Sequence, residues 1–380
     1  MDAKPTTGFR PDYAVPPGET LVEVLEAKGI SQSELSERTG RPKKTINEIV
    51  NGKAAITPET ARQLEFVLGI PASFWNSLEQ NYRAALARIA DRERLARDVD
   101  WLKDVPGRAL AKRGFVDLKP SKIDQVEALL SFFGVASVDA WRNLWSGFET
   151  QAAFRKSAAY ETKLGAVAAW LRIGEIKAST INCPPYDQNL FKSALREARA
   201  LTREDPEVFC EALMRSCASA GVVVLFTREL PGLRVSGATR WLSSTKALIQ
   251  LTLRYRTNDQ LWFTFFHEAG HILLHGKRSV FIDEMGTEAD AQDDLGVATG
   301  KPEEEAEADR FAADFLIPSD LYAKFLEKQD LSGRAITAFA NEIGIDPGII
   351  VGRLQKEKRF PGGYRTALVS LKKTYRWADE

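Results

Sequence analysis

All three histidines of this 380-residue chain, His267, His271 and His275, fall within one short run. The run reads Phe263-Thr264-Phe265-Phe266-His267-Glu268-Ala269-Gly270-His271-Ile272-Leu273-Leu274-His275. Residues four apart sit one turn apart on the same face of a helix. A helix here therefore points the imidazoles of His267 and His271 at one ion, with Glu268 projecting beside them. A chain that concentrates all its imidazole in one place is built to use it there.

The pattern H-E-x-x-H is that of a hydrolytic zinc site, in which the glutamate takes a proton from metal-activated water. A catalytic zinc has three protein ligands and one open position. His267 and His271 supply two. His275 lies eight residues beyond His267, about 12 Å along a helix axis at roughly 1.5 Å per residue, whereas Zn–N bonds are about 2.0–2.1 Å. The expectation for His275 is thus a helix-end or outer hydrogen-bonding role. With no other histidine in the chain, the third ligand is a carboxylate. Its best source is Lys301-Pro302-Glu303-Glu304-Glu305-Ala306-Glu307-Ala308-Asp309-Arg310-Phe311-Ala312-Ala313-Asp314-Phe315-Leu316-Ile317-Pro318. Pro302 suits a first helical position and the acids suit the positive end of the dipole. Ala308, Phe311, Ala312 and Phe315 recur as a buried stripe, with Glu304 and Glu307 beside it. Most acids of this run belong on a solvated face, and at least one does not.

Phe263, Phe266, Ile272 and Leu273 pattern as an amphipathic helix. The preceding Ala247-Leu248-Ile249-Gln250-Leu251-Thr252-Leu253 alternates like a strand feeding the site, where an extended peptide would add by edge pairing. Val222–Phe226 reads as a central strand.

Residues from about Gly221 to Pro318 resemble the ImmA/IrrE metallopeptidases. Phe263–His275 and the segment Glu305-Ala306-Glu307-Ala308-Asp309-Arg310-Phe311-Ala312-Ala313-Asp314-Phe315-Leu316-Ile317-Pro318 carry the resemblance. It implies an α+β zincin-like domain with a small sheet, Zn2+ as cofactor, and Glu268 as catalytic base. Aligning the E-A-x-x-F-A core implies Glu307 as third ligand, with Glu304 as runner-up. The implied activity is endopeptidase cleavage of a repressor or partner protein.

Near the N-terminus, short helical patterns alternate with tight breaks. Ser31 and Glu34 form a capping box, Gly40 and Asn51-Gly52 stop two short helices, and Thr57-Pro58-Glu59-Thr60 caps a fourth. A fifth starts at Pro71. Short helix, glycine turn, short helix is the helix-turn-helix arrangement. Its second helix turns Lys43, Lys44, Thr45, Asn47, Glu48 and Asn51 outward and Ile46, Ile49 and Val50 inward. The first turn of such a helix meets base edges and its lysines meet phosphates, with Lys53 alongside. Gln32 and Ser33 open the preceding helix, where they can hydrogen-bond a phosphate. Ile30-Ser31-Gln32-Ser33-Glu34-Leu35-Ser36 and Ile46-Asn47-Glu48-Ile49-Val50-Asn51-Gly52-Lys53 resemble the XRE/Cro type of helix-turn-helix, closest to HigA-like antitoxins. That resemblance implies a double-stranded DNA operator, a homodimer reading two half-sites, and a toxin as alternative protein partner. It also supplies the rival to proteolysis: an antitoxin or regulator whose peptidase-like domain is a sensor.

The chain is thus expected to be multidomain: an all-α helix-turn-helix domain (16–82), a helical middle region (83–177), the metallopeptidase domain (178–360) and a basic tail (361–380) with Lys372, Lys373 and Arg376. The middle is read as a solvated basic helix followed by helices over Ser121–Phe133, Val138–Leu144 and Glu161–Lys177, with Trp141, Trp145 and Trp170 in packing roles. The formal net charge is zero, so DNA binding must rest on a local patch. Cys183, Cys210 and Cys217 lack C-x-x-C spacing and read as reduced, buried side chains. No long apolar run or signal-peptide pattern occurs, so the expectation is a cytoplasmic protein without a membrane partner.

Overall fold

The computed structural model describes residues 12–151, 158–233, 235–276, 280–283, 302–360 and 368–378. The chain divides into two compact units, Met1–Val99 and Asp100–Glu380.

The first unit is all-α. It comprises α1 (Pro17–Lys28), α2 (Gln32–Thr39), α3 (Lys43–Val50), α4 (Pro58–Leu68) and α5 (Ala72–Arg97). The boundaries have local causes. Ser31 accepts from the Glu34 N–H at 3.1 Å and Thr57 from the Thr60 N–H at 3.2 Å, which satisfies helix-start donors. Gly40 closes α2 with φ 69°, a left-handed conformation that glycine adopts without strain. Leu21, Leu25, Leu35, Ile46, Ile49, Leu64, Leu68 and Trp75 form the core. Gly18 lets α1 cross the end of α3, because a Cβ there would lie 2.1 Å from the Val50 carbonyl oxygen. The fifth helix runs from Ala72 to Arg97, across the expected domain boundary at residue 82. Its second half is mostly exposed, with Leu95 buried, as a solvated basic helix should be.

The second unit begins with helices α6 (Gly107–Lys112), α7 (Lys122–Phe133), α8 (Val138–Gln151), α9 (Ala158–Ser179), α10 (Gln188–Leu201) and α11 (Pro206–Ser219). Trp141 packs edge to face on Trp101 and Phe133 with centroids 5.5 and 5.8 Å apart, and Trp170 is fully buried. Strands β1 (Val222–Phe226), β2 (Gly237–Ser243), β3 (Lys246–Leu251) and β4 (Val280–Asp283) follow, with α12 (Asn258–Leu274) between β3 and β4. Helices α13 (Pro302–Leu316), α14 (Ser319–Glu327), α15 (Gly333–Ile343) and α16 (Pro347–Lys356) complete the unit.

Among the described residues the sheet order is β1-β3-β2-β4. Strand β3 pairs in parallel with β1 and antiparallel with β2, and β2 pairs antiparallel with β4. This corrects one expectation. The Ala247–Leu251 segment does not alternate, since its residues are all buried, and it is interior to the sheet. Both its edges are already hydrogen-bonded, so no peptide can add to it. A strand covered on both faces reads as a continuous apolar run.

The C-terminal segment also departs from expectation. The Lys372 Nζ reaches Asp259 Oδ2 at 2.7 Å, with the two side chains only 10% and 5% exposed. The Asn258 N–H donates to the Lys373 carbonyl at 3.0 Å, Asn258 Oδ1 accepts from the Lys373 N–H, and Thr257 bridges Thr374. Lys372 and Lys373 are therefore tied to the start of α12 rather than held out as a basic tail.

Candidate functional site

Helix α12 is buried almost all round. From Asn258 to Ile272 only Gln260 and Phe263 are partly accessible. The amphipathic reading of Phe263, Phe266, Ile272 and Leu273 understates this: from Asn258 to Ile272 no residue is fully exposed. The small pair Ala269-Gly270 allows the closest approach. A Cβ on Gly270 would meet Phe311 Cδ1 at 3.1 Å and Ala308 Cα at 3.3 Å. On the sheet side, a Cβ on Gly237 would meet Glu268 Oε1 at 2.8 Å. Thr239 Oγ1 donates to the Glu268 carbonyl at 3.0 Å. Glu268 is fully buried between β2 and its own helix.

Helix spacing delivers the imidazole pair as expected. His267 Nε2 and His271 Nε2 lie 3.0 Å apart, 3% and 1% exposed. The carboxylate that meets them is Glu305. Its Oε2 is 3.1 Å from His267 Nε2 and 3.5 Å from His271 Nε2. The structure thus brings Glu305 to the pair, and neither Glu307 nor the runner-up Glu304. The reason is helical phase. At about 100° per residue, Glu305 shares a face with Ala308, Ala312 and Leu316, which are buried. Glu307 lies on the far side of that face and Glu304 on its flank. Glu307 instead approaches His275, 3.3 Å from its Nε2.

Two outer contacts hold the rings. His267 Nδ1 lies 3.0 Å from Asp309 Oδ1, and Asp309 Oδ2 pairs with Lys356 Nζ at 3.4 Å. His271 Nδ1 lies 2.9 Å from His275 Nδ1. Sequence reasoning missed Asp309, although it follows Glu305 by one helical turn and so falls on the same face. His275 lies on the outer side of the His271 ring, against its Nδ1.

The electrostatics match this geometry. Burial would raise the Glu305 carboxyl, but hydrogen bonds from His267 and His271 outweigh it and hold it at about 2. Burial likewise opposes the lowering of Asp309, and its His267 bond and the Lys356 charge prevail. Burial pushes His271 below the usual imidazole range. That shift favours the neutral, lone-pair-bearing imidazole that a metal requires.

These residues fit a zinc ion. The two Nε2 atoms and Glu305 Oε2 stand 3.0–3.5 Å apart. Ligand atoms of a tetrahedral zinc at about 2.0–2.1 Å are about 3.3 Å from one another. Glu305 Oε1 is buried with no hydrogen-bond partner among the described residues. Two imidazoles and a carboxylate are a donor set that zinc accepts.

In the first unit, Lys43, Lys44, Asn47, Asn51 and Lys53 are exposed, and Gln32, Ser33, Thr45 and Glu48 are half-buried. Lys44 lies 3.8 Å from Glu48 and is 86% exposed. Asn51 Nδ2 donates to the Asn47 carbonyl at 2.7 Å. The exposed polar side chains thus line the outer face of α3, while Ile46 and Ile49 are buried. Arg41, two residues before Lys43, turns inward to Gln63 and Glu59 on α4.

Comparison with known proteins follows the same division. The helix-turn-helix family matches residues 21–75, and the IrrE N-terminal-like domain of the M78 peptidase family matches residues 253–354. Virulence-associated protein A of Dichelobacter nodosus is 40% identical over 75 residues, 19% of this chain and 72% of that protein. The HTH-type transcriptional regulator YddM of Escherichia coli (strain K12) is 32% identical over 82 residues, 21% of this chain and 87% of that protein. A solved addiction module antidote protein of the HigA family from Coxiella burnetii shares 29% identity, covering 20% of this chain and 82% of its own, with a TM-score of 0.19. Fold and site together define a two-unit protein, an all-α helix-turn-helix unit joined to an α+β unit of peptidase type with a small sheet. The chain belongs to the helix-turn-helix family through its first unit and carries an IrrE N-terminal-like domain in its second.

Proposed function

We propose that this protein is a DNA-binding transcriptional regulator whose second unit is a zinc-dependent endopeptidase acting on a repressor or partner protein. The observation that carries the peptidase half is the convergence of His267, His271 and Glu305 beside Glu268. In this reading the three side chains hold the ion. Bound zinc would supply an activated water near neutral pH and polarise the scissile carbonyl. Glu268, adjacent in sequence to a ligand and enclosed by β2, takes the water's proton and returns it to the leaving amine. Asp309 keeps the His267 imidazole oriented, and the surrounding core excludes bulk water.

The DNA half rests on the outer face of α3. Lys43, Lys44 and Lys53 contact phosphates, Thr45, Asn47, Glu48 and Asn51 face base edges, and Gln32 and Ser33 anchor the start of α2. A homodimer would present two such faces to an operator with two half-sites. A cytoplasmic location belongs to this reading because the operator is there. Among the described residues, no helix is long and apolar enough to cross a membrane.

The test separates ligand from base. Glu305→Gln lowers zinc affinity by about a hundredfold, about 2.7 kcal/mol, while Glu304→Gln leaves it unchanged. Glu268→Gln retains zinc and operator binding but abolishes cleavage, measured by comparing protein termini in cells carrying each form. Should Glu268→Gln cells regulate as wild type does, the second unit acts as a sensor and the protease reading is wrong.

A further inference from the structure

We propose that His275 is a positioning residue for the metal-binding imidazole of His271, working through a proton-ordered chain that ends on Glu307. The inference rests on the metal reading above and goes beyond it, because His275 lies outside the ligand set.

The geometry separates the two ends of the His271 ring. Its Nε2 faces His267 Nε2 at 3.0 Å and Glu305 at 3.5 Å, the side where an ion would sit. Its Nδ1 points the other way and meets His275 Nδ1 at 2.9 Å. Two nitrogens at that separation share one proton, so one donates and the other accepts. A histidine that offers Nε2 to a metal carries its proton on Nδ1. His271 therefore donates, and His275 Nδ1 accepts. That leaves the His275 proton on Nε2, which donates to Glu307 Oε2 at 3.3 Å. Every member of the chain has a consistent role.

The backbone explains how His275 arrives there. Helix α12 ends at Leu274. His275 then leaves it in extended conformation, φ −112° and ψ 165°, while its N–H still donates to the His271 carbonyl at 3.1 Å. The break swings the imidazole against the outer edge of His271, where its side chain is 4% exposed. A hydrogen bond in such a place is less diluted by water than one at the surface. The other ring, His267, is held by a carboxylate instead. The two ligands thus have different braces, one charged and one neutral. Removing an outer partner of this kind lowers metal affinity by about 10–100-fold.

The experiment measures zinc affinity of the full chain by competition with a chromophoric chelator, with Co2+ spectra alongside. His275→Phe, which fills the space but cannot accept, weakens binding at least about tenfold. His275→Asn, whose amide oxygen can accept in place of Nδ1, stays within about threefold of wild type. Glu307→Ala, losing a half-exposed carboxylate, weakens binding about threefold. The Co2+ bands keep their energies in all three, because no ligand is lost. Equal affinity in His275→Phe and wild type overturns the proposal, as does an equal loss in His275→Phe and His275→Asn. A shifted Co2+ spectrum overturns it by making His275 a ligand. Wild-type protein that binds no zinc overturns the metal reading itself and this inference with it.

Discussion

Helices α3 and α12 carry the two proposed functions in opposite ways. Helix α3 buries Ile46 and Ile49 and leaves most of its polar side chains in water. The function proposed for it lies on the face that is exposed among the described residues. In α12 no residue from Asn258 to Ile272 is fully exposed, so the two imidazoles and the core residues are interleaved along one rod. A surface reader can change its exposed residues without disturbing its fold. A buried cradle cannot, because the same turns that present His267 and His271 also bring Phe265, Phe266, Ala269 and Ile272 into the core. An exposed site is largely a property of one helix, whereas a buried one exists only when several elements have closed on it.

The contrast yields tests in descending order of effect. His267→Ala should lower zinc affinity by about a thousandfold, about 4 kcal/mol, and leave operator binding in a gel-shift titration untouched. Loss of both would mean that the units are not functionally separate. Gly270→Val should destabilise the second unit by about 2–3 kcal/mol through overpacking against Ala308 and Phe311. Denaturant unfolding followed by tryptophan fluorescence would show it, and an unchanged midpoint would mean that α13 can retreat. Lys43→Ala with Lys44→Ala should weaken operator binding about tenfold and reduce its salt slope by about 1.8, two phosphate contacts' worth. An unaltered slope would remove these lysines from the interface.

The smallest effect concerns acid. Glu305, Asp309 and His271 all have folded pKa values below their unfolded ones. The unfolded chain therefore takes up protons first, and the stability these groups contribute is present above their unfolded values and is lost as pH falls. For His271 that loss begins near 6.5, and for Glu305 it runs from 4.5 toward about 2. The metal-free second unit should unfold at progressively lower denaturant from pH 7 to 4. A flat profile would show that the contacts do not survive without the ion.

The same contrast explains what could be read from residues alone. The caps and breaks of the first unit are local, and Ser31, Gly40 and Thr57 behave as their side chains and backbone dictate. The imidazole pair is local too, being a matter of spacing along one helix. The carboxylate that meets the pair is not. Glu303, Glu304, Glu305 and Glu307 are chemically alike, and only the rotation of α13 against α12 distinguishes them. That rotation was partly visible, since Glu305 lies three residues before Ala308 and seven before Ala312. The interior position of β3 depended on which strand came to lie beside it, a contact between segments far apart in the chain. The acid-rich segment from Asp283 to Gly300, between the two motifs, lies almost wholly outside the described residues.

The strap formed by Lys372, Lys373 and Thr374 has a consequence at a distance. It grips α12 at Asn258 and Asp259, the end opposite His271. Asp259 is buried, and stripping its ammonium partner from such a place typically costs about 3–5 kcal/mol. Proteolytic trimming of the chain before residue 372 would thus slacken the rod at its far end. A nicked preparation should shed its ion to a chelator faster than the intact chain, although every coordinating atom is still present.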